Sequence, residues 1–359
     1  NPYVERLIGM IRRELLDHVV VLGGAHLKRL LADYLEYYHR SRTHQSLDCN
    51  SPVPREVEPP EVGKVVVGQK EMVEGILMGL LTGGHVLLEG VPGLAKTLTI
   101  SSVSQSISLN FQRVQFTPDL LPTDLIGTMI FNPKSGEFVP RKGPVFTNIV
   151  LADEINRASP KTQSAMLEVM AERTVTVDGR SHPVPRPFLV IATQNPVDMD
   201  GTYPLPEAQL DRFMMRISVG YPNPAAETQI LKNAHEGRRL EDLRAVSSTE
   251  EVTGMIQAAG GVHIADSVLT YIVGLITATR NSPGVRLGSS PRGGLALMAC
   301  ARVRAASRGR HYVTPEDVGA LIQPVLAHRL VLSPEAIAGG STAEQILSEA
   351  TRGVPVPQG

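Results

Sequence analysis

The chain has 359 residues, a formal net charge of -1 and 42% hydrophobic residues, which is enough for two or three folded domains with a sizeable core. The balanced charge and the 4% aromatic content without tryptophan make nucleic acid an unexpected partner, since neither a basic coat nor a stacking platform is indicated. The two cysteines, Cys49 and Cys300, are too far apart in sequence to indicate a zinc site. Their scarcity favours reduced thiols in a cytoplasmic protein. No segment reaches the roughly 20 apolar residues of a membrane helix, so we expect no membrane span.

The first 63 residues differ from the rest of the chain in their pattern of apolar residues and prolines. Apolar side chains at helical spacing predict two helices within residues 1–47, and we assign residues 1–50 to a short helical N-terminal segment. Four prolines within residues 51–60 predict an extended linker, because proline lacks a backbone donor and blocks helix formation. We therefore predict a domain boundary in a proline-rich linker over residues 51–63.

From residue 64 onward, short apolar runs alternate with helical segments, which is the pattern of a parallel α/β sheet flanked by helices. Turn residues predict two hairpin-like interruptions, at residues 128–139 and 174–184. We assign residues 64–222 to this α/β domain. The candidate strands are residues 85–89, 113–117, 149–152, 188–193 and 214–219.

Beyond residue 222 the pattern becomes helical and offers no candidate strands. Thr314 followed by Pro315 is typical of a helix N-cap with proline at the first helical position. We predict an all-α lid domain over residues 223–332 and a weakly ordered tail over residues 333–359.

A glycine-rich loop follows the first candidate strand and precedes a helix. Phosphates need converging backbone N–H donors, which requires small residues and a helix N-terminus. Lys96 would bring a positive charge to the β- and γ-phosphates, and the Thr97 hydroxyl would bind Mg²⁺. Ala95 stands where this phosphate-binding pattern has glycine, so we expect a negative φ at that residue. The loop comprises Gly90, Val91, Pro92, Gly93, Leu94, Ala95, Lys96 and Thr97.

Two adjacent carboxylates, Asp153 and Glu154, follow another apolar strand. At the end of a parallel strand, Asp153 would face the metal ion and Glu154 could polarise the attacking water. Together with the glycine-rich loop, they predict a site that binds and hydrolyses ATP with Mg²⁺, with Thr97 and Asp153 as the metal-binding residues.

Three further polar residues are candidates for the same reaction. Asn195 ends a buried strand, where its amide could orient the water or the γ-phosphate. Arg212 lies at a helix end before the last strand, and an isolated arginine there is otherwise an ordinary solvated residue. Arg292 opens a lid helix after Ser290 and Pro291, from which it could reach the γ-phosphate; first helical turns otherwise favour acidic residues.

These elements, in this order, resemble the AAA+ superfamily, and several segments are similar to the MoxR family within it. The resemblance covers residues 64–332. The segments that carry it are GVPGLAKT (90–97), FTPDLLPTDLIG (116–127), LADEINRASPKTQSAMLEVMAE (151–172), ATQNP (192–196) and LPEAQLDRF (205–213).

The resemblance implies roles for the candidate residues and a biological context. Lys96 and Thr97 would be the Walker A pair, with Asp153 and Glu154 as the Walker B pair. Asn195, Arg212 and Arg292 would be sensor 1, the arginine finger and sensor 2, in that order. A homo-oligomeric ring is implied, expected as a hexamer, which remodels or matures client proteins together with a partner carrying a von Willebrand factor A domain.

The N-terminal segment resembles something else, the C-terminal end of a DDE integrase or transposase core. The residues that carry this resemblance are 1–22 and 34–47, and Glu5 would be the third metal-binding carboxylate. The two preceding aspartates of such a core are missing, and without them a two-metal site cannot form. Transposition is therefore not expected.

Three alternatives to a protein-remodelling ATPase stay open on the sequence. The first is a metal-chelatase-like motor subunit for cofactor insertion, whose core is built in the same way. The second is DNA binding or integration through the N-terminal segment, which salt-sensitive DNA binding would reveal. The third is a nucleotide switch with little turnover, which the presence of Glu154 disfavours.

Overall fold

The computed structural model describes residues 67–357, apart from 92, 135, 178, 196–200, 236–242 and 244. The helices predicted within residues 1–47 and the linker 51–63 lie outside these described residues. None of the described helices combines the length and the apolar composition that a membrane span requires.

A five-stranded parallel sheet forms the centre of the first half, as the alternation of apolar runs and helices predicted. All five candidate strands are present, although the second begins two residues earlier than expected. Their bounds are β1 Val86–Glu89, β2 Phe111–Gln115, β5 Ile149–Asp153, β8 Leu189–Gln194 and β9 Met215–Ser218. The strand order is β2-β5-β8-β1-β9, and each neighbouring pair is parallel.

Both predicted hairpins are confirmed as separate two-stranded antiparallel sheets. The first pairs β3 (Gly127–Asn132) with β4 (Glu137–Lys142), and the second pairs β6 (Thr174–Val177) with β7 (Arg180–Pro183). The helices of this half are α1 Lys70–Thr82, α2 Lys96–Ser106, α3 Pro122–Ile126, α4 Pro160–Glu172 and α5 Glu207–Leu210, with a 3₁₀ turn at Ile155–Arg157.

The sheet is covered on both faces because alternate residues of its strands point to opposite sides. On one face Leu87 and Val190 join the cluster around Phe213. On the other face Leu88 and Ile191 belong to a cluster that continues into the buried residues of the helical half. The sheet and the lid therefore share one apolar core.

The second half is mainly helical and packs on that shared core. Its helices are α6 Pro224–His235, α7 Thr249–Gly260, α8 Asp266–Arg280, α9 Pro291–Ser307, α10 Pro315–Gly319, α11 Ile322–Leu326, α12 Pro334–Ala338 and α13 Ala343–Arg352, with a 3₁₀ turn at Ala327–Arg329.

Two predictions for this half were wrong. The segment expected to lack strands contains an antiparallel pair, β10 (Val285–Leu287) with β11 (Val331–Leu332), and runs this short show no periodicity. The tail expected to be weakly ordered contains α12 and α13. A capping box at Thr342 begins α13, and Leu347 on that helix is fully buried. The amphipathic pattern of α13 and the Thr342–Gln345 capping box are sequence signals that the prediction of a weakly ordered tail did not use.

Candidate functional site

The glycine-rich loop connects the end of β1 to the start of α2, as predicted. A Cβ on Gly90 would lie 2.5 Å from the Val219 carbonyl oxygen, and Gly93 has a φ of +85°, so neither position readily accepts another residue. Across the loop, the Lys96 Nζ donates a hydrogen bond to the Gly90 carbonyl oxygen at 2.5 Å. Burial lowers the pKa of Lys96, while the carboxylates of Asp153 and Glu154 oppose that shift.

The backbone at Ala95 corrects one expectation. We expected a negative φ there, and the structure has φ 54° and ψ 23°, in the left-handed region. The chain has to turn in this sense just before α2, whose first N–H groups would then face a phosphate. A residue with a Cβ pays about 1–2 kcal/mol for this conformation. Pro92 lies outside the described residues.

The two carboxylates lie at the end of β5, where a neighbouring hydroxyl holds them. The Thr193 Oγ1 donates to the Asp153 Oδ1 at 2.6 Å and accepts from the Glu154 backbone N–H at 2.8 Å. Glu154 itself has a φ of 56°, a second left-handed residue at this edge. Backbone strain of this kind is concentrated at functional sites.

Three more side chains contact the carboxylates, and our sequence analysis identified none of them. The Arg113 Nη2 lies 2.6 Å from the Asp153 Oδ2, the Gln115 Nε2 donates to the Glu154 Oε2 at 2.8 Å, and the Arg157 Nη1 lies 3.1 Å from that same Oε2. In the sheet register, Gln115 is directly opposite Asp153. Knowledge of the strand order would have revealed Gln115, but the sequence alone does not give that order.

Asn195 directly follows β8 and is buried. Glu89 is opposite Gln194 in the sheet register, and the Gly90 N–H donates to the Gln194 carbonyl oxygen at 3.3 Å. The structure therefore brings Asn195 beside the start of the glycine-rich loop. This loop, the two carboxylates and Asn195 share the carboxyl-terminal edge of the sheet.

Arg212 lies at the opposite edge of the sheet. It comes three residues before β9, whose first residue, Met215, is opposite the first residue of β1. The Arg212 Nη1 donates to the Leu167 carbonyl oxygen at 2.5 Å. Its side chain lines an open cleft of about 260 Å³ on the outer side of α4, and among the described residues no member of the glycine-rich loop lines that cleft.

Arg292 lies in the first turn of α9 and is exposed, with no side-chain hydrogen bond or ion pair to another described residue. Ser290 caps this helix by accepting from the Arg292 backbone N–H at 3.2 Å. The Ser290 hydroxyl also faces the Asp211 Oδ2 at 3.4 Å. The start of α9 therefore lies beside the segment that carries Arg212, rather than beside the chain's own glycine-rich loop.

The residues at the carboxyl-terminal edge fit a magnesium–nucleotide complex. At Gly90 the absence of a Cβ lets the loop pack against the Val219 carbonyl oxygen, and around Gly93 there is open space in which a phosphate can approach the backbone. The Thr97 hydroxyl and the Asp153 carboxylate are hard oxygen donors, which Mg²⁺ prefers. In the described part of the chain, no cluster of three or more histidine, cysteine or acidic residues offers a competing metal site.

Two family models match the chain, and their order agrees with the two halves of the fold. The model of the ATPase family associated with various cellular activities (AAA) matches residues 85–215, and the model of the AAA lid domain matches residues 277–350. The fold and the matched segments define an AAA+ ATPase.

Comparison with individual proteins narrows the class. The chain is 47% identical to the uncharacterized protein YeaC of Bacillus subtilis over 82% of this chain and 92% of that protein. It is 45% identical to the chaperone MoxR1 of Mycobacterium tuberculosis, over 83% of this chain and 81% of that protein. A crystal structure of a candidate ATPase from Cytophaga hutchinsonii has 41% identity and a TM-score of 0.79, covering 93% of this chain and 100% of that one. The chain belongs to the MoxR family of AAA+ ATPases, and it binds and hydrolyses ATP.

Proposed function

We propose that the chain assembles into a homo-oligomeric ring, a hexamer, and uses ATP hydrolysis to remodel client proteins. The ring is inferred from one observation, which is that Arg212 lies at the sheet edge opposite the glycine-rich loop. An arginine in that position can serve a nucleotide only if the nucleotide belongs to a neighbouring subunit.

Within one subunit, the carboxyl-terminal edge of the sheet would perform the chemistry. Lys96 and the backbone of the glycine-rich loop bind the phosphates, and Thr97 and Asp153 hold Mg²⁺, which neutralises phosphate charge when bound. Glu154 takes a proton from the attacking water as general base. Asn195 orients that water or the γ-phosphate.

Between subunits, Arg212 and Arg292 would act together on the nucleotide of the neighbour. Both belong to segments that lie at the other edge of the sheet, and the capping residue of α9 faces Asp211, which precedes Arg212. A guanidinium that reaches a γ-phosphate stabilises charge that grows in the transition state, which is worth about 10³–10⁵ in rate where it has been measured in GTPases.

The client role is supported by the relative from Mycobacterium tuberculosis, which is described as a chaperone. We propose a partner with a von Willebrand factor A domain for the same work. A cofactor-insertion motor is the weaker alternative, since the magnesium-chelatase subunits are 28–29% identical over only 52% of this chain. The integrase-like segment over residues 1–50 lies outside the described residues and stays a prediction.

The assignment of the chemistry can be tested with two substitutions. We expect Lys96→Ala to remove most ATP binding, because the loop loses the cation beside the phosphates. We expect Glu154→Gln to keep ATP bound and to stop turnover, because an amide preserves the shape but cannot accept the proton. ATP affinity and kcat are measured separately for each variant.

Glu349→Gln is the matched control for charge removal, because Glu349 is an exposed residue of α13. It should hydrolyse ATP at the parental rate. Parental turnover by Glu154→Gln would show that another group accepts the proton.

A further inference from the structure

Arg329, in the 3₁₀ turn after α11, is a buried arginine that our sequence analysis did not single out. Its Nε donates to the Val325 carbonyl oxygen at 2.8 Å, and its Nη1 donates to the Asp211 carbonyl oxygen at 2.9 Å and to the Asp211 carboxylate. Its Nη2 donates to the carbonyl oxygens of Phe213 at 2.8 Å and Met214 at 3.3 Å. A guanidinium has five N–H donors, and every one of them has an acceptor here.

The acceptors on the sheet side surround Arg212 along the chain. Asp211 comes immediately before Arg212, and Phe213 and Met214 come immediately after it. Arg329 thus holds the backbone on both sides of Arg212. The adjacent His328 adds a hydrogen bond, with its Nε2 at 3.2 Å from the Phe213 carbonyl oxygen.

The same arginine also touches the helix that carries Arg292. A Cβ built on Gly293, in the first turn of α9, would lie 3.2 Å from the Arg329 Cδ, so the stem of Arg329 packs closely against this turn. From the other side, Ser290 faces the Asp211 carboxylate at 3.4 Å. The start of α9 is therefore in contact with both members of the Arg329–Asp211 pair.

Such a pair resists small adjustments. The guanidinium is planar, and its donors form a rigid fork, so shifting residues 211–214 relative to Arg329 would break several buried or partly buried hydrogen bonds together. A buried acceptor left without a donor is destabilising. The segment with Arg212 and the turn with Arg292 are consequently expected to move as one unit.

We propose that Arg329, through Asp211, is a positioning residue for ATP hydrolysis that fixes Arg212 and Arg292 relative to each other. The proposal rests on the proposed function, in which both arginines act on the nucleotide of a neighbouring subunit. Arg329 touches no nucleotide itself. It ensures that a movement of the lid carries the Arg212 segment with it.

A double-mutant cycle between Arg329→Lys and Arg212→Ala tests the proposal in the full-length protein. A lysine keeps the positive charge but cannot bridge Val325, Asp211 and Phe213 simultaneously. We expect Arg329→Lys to lower kcat about 10-fold while the ATP dissociation constant changes less than about twofold. In the Arg212→Ala background, single-turnover hydrolysis is measured instead. There Arg329→Lys should change the rate by less than about twofold, because the position of Arg212 relative to Arg292 no longer matters.

Arg310→Lys is the matched control, because Arg310 also forms a partly buried, bidentate pair with an aspartate, Asp317, elsewhere in the lid. It should leave kcat within about twofold of the parent.

If Arg329→Lys does not fold, Asp211→Asn replaces it in the same cycle, since it removes the charge and preserves the shape. The proposal is overturned if the loss of kcat is equal in both backgrounds, or if Arg310→Lys reproduces it. Parental kcat in Arg212→Ala alone would instead contradict the role of Arg212, and so the proposed function.

Discussion

Two arginine–aspartate pairs lie at opposite edges of the same sheet, and they differ in almost every physical respect. The Arg113 side chain is 49% exposed in its pair with Asp153, whereas the Arg329 side chain is 3% exposed in its pair with Asp211. Arg113 also donates to the exposed Gln115 side chain, while the five donors of Arg329 all have buried or partly buried acceptors. At the carboxyl-terminal edge, the carboxylates proposed to perform the chemistry contact exposed side chains as well as the buried Thr193. At the amino-terminal edge, the residues around Arg212 are fixed.

The same contrast holds for titratable groups but not for the backbone. Left-handed residues other than glycine occur at both edges, with Ala95 and Glu154 at the carboxyl-terminal edge and Ser108 and Arg173 at the other. The amino-terminal edge contains two buried histidines, His85 and His328, whose pKa values lie well below the ordinary value. Backbone strain is thus shared by the two edges, whereas exposure is concentrated where the nucleotide would bind and burial is concentrated around Arg329.

The largest expected difference concerns the stability contributed by the two arginines. Arg329→Met should cost about 3–5 kcal/mol of unfolding free energy, because it leaves the Asp211 carboxylate and several carbonyl oxygens without their donor. Arg113→Met is the matched substitution, and it should cost less than about 1 kcal/mol because solvent screens an exposed pair. Denaturant unfolding of both variants measures the difference. Similar losses of unfolding free energy in the two variants would show that the two arginine–aspartate pairs contribute equally to stability, contrary to the comparison above.

The buried histidines predict how stability depends on pH. Burial lowers the pKa of His85 to about 4, with a smaller contribution from the Arg173 charge, and lowers that of His328 to about 3. Both rings are therefore neutral in the fold, while the unfolded chain takes up protons below about pH 6.5. Their contribution is complete above pH 6.5 and is lost as the pH falls toward 4, by about 1.4 kcal/mol per pH unit for each histidine.

Denaturant midpoints measured between pH 7 and pH 4.5 test this dependence. The His85 Nδ1 accepts from the Val190 N–H at 3.0 Å, and its Nε2 faces the Met170 carbonyl oxygen at 3.1 Å. A glutamine offers the same two functions without titrating, so His85→Gln should reduce the slope by about 1.4 kcal/mol per pH unit. His311→Gln, at an exposed ring, should leave the slope unchanged. An unaltered slope in His85→Gln would show that the titration of His85 does not cause the loss of stability at low pH.

The smallest predicted effect tests the strain in the glycine-rich loop. The same alanine-to-glycine substitution should change the stability of the fold in opposite directions at Ala95 and at Ala171. Ala95→Gly should stabilise the fold by about 1 kcal/mol or less, because glycine adopts a positive φ without the Cβ penalty. Ala171→Gly, at an exposed position in α4, should instead destabilise the fold by about 1 kcal/mol, as glycine does within a helix. Thermal unfolding distinguishes the two signs. Destabilisation in both variants would mean that the loop does not hold Ala95 in the left-handed region.

The sequence predicted the local parts of this molecule well. Apolar runs located the five strands of the sheet, and turn residues located both hairpins, because these signals arise within a few neighbouring residues. The strain at Ala95 was not predictable, since it depends on how the loop meets α2. Arg329 carried no signal either, because its acceptors on the sheet side lie more than a hundred residues earlier and meet it only after the lid packs on the sheet.

The site showed the same division between local and long-range information. Lys96 and the Asp153–Glu154 pair follow recognisable strand ends. Thr193, Gln115 and Arg113 belong to strands whose order in the sheet does not follow their order in the sequence. Only the folded sheet brings them to the carboxylates.

The most direct test of the account is hydrolysis in rings assembled from two inactive variants, Lys96→Ala and Arg212→Ala. Where an intact loop faces an intact Arg212 of the neighbour, the site is complete. In a random equal mixture this occurs at roughly a quarter of the interfaces, so we expect activity to return toward that fraction of the parental rate. A mixture of Lys96→Ala with Glu154→Gln serves as control and should stay inactive, because both defects lie in the same half of the site. No recovery in rings shown to contain both variants would contradict a role for Arg212 across the subunit interface.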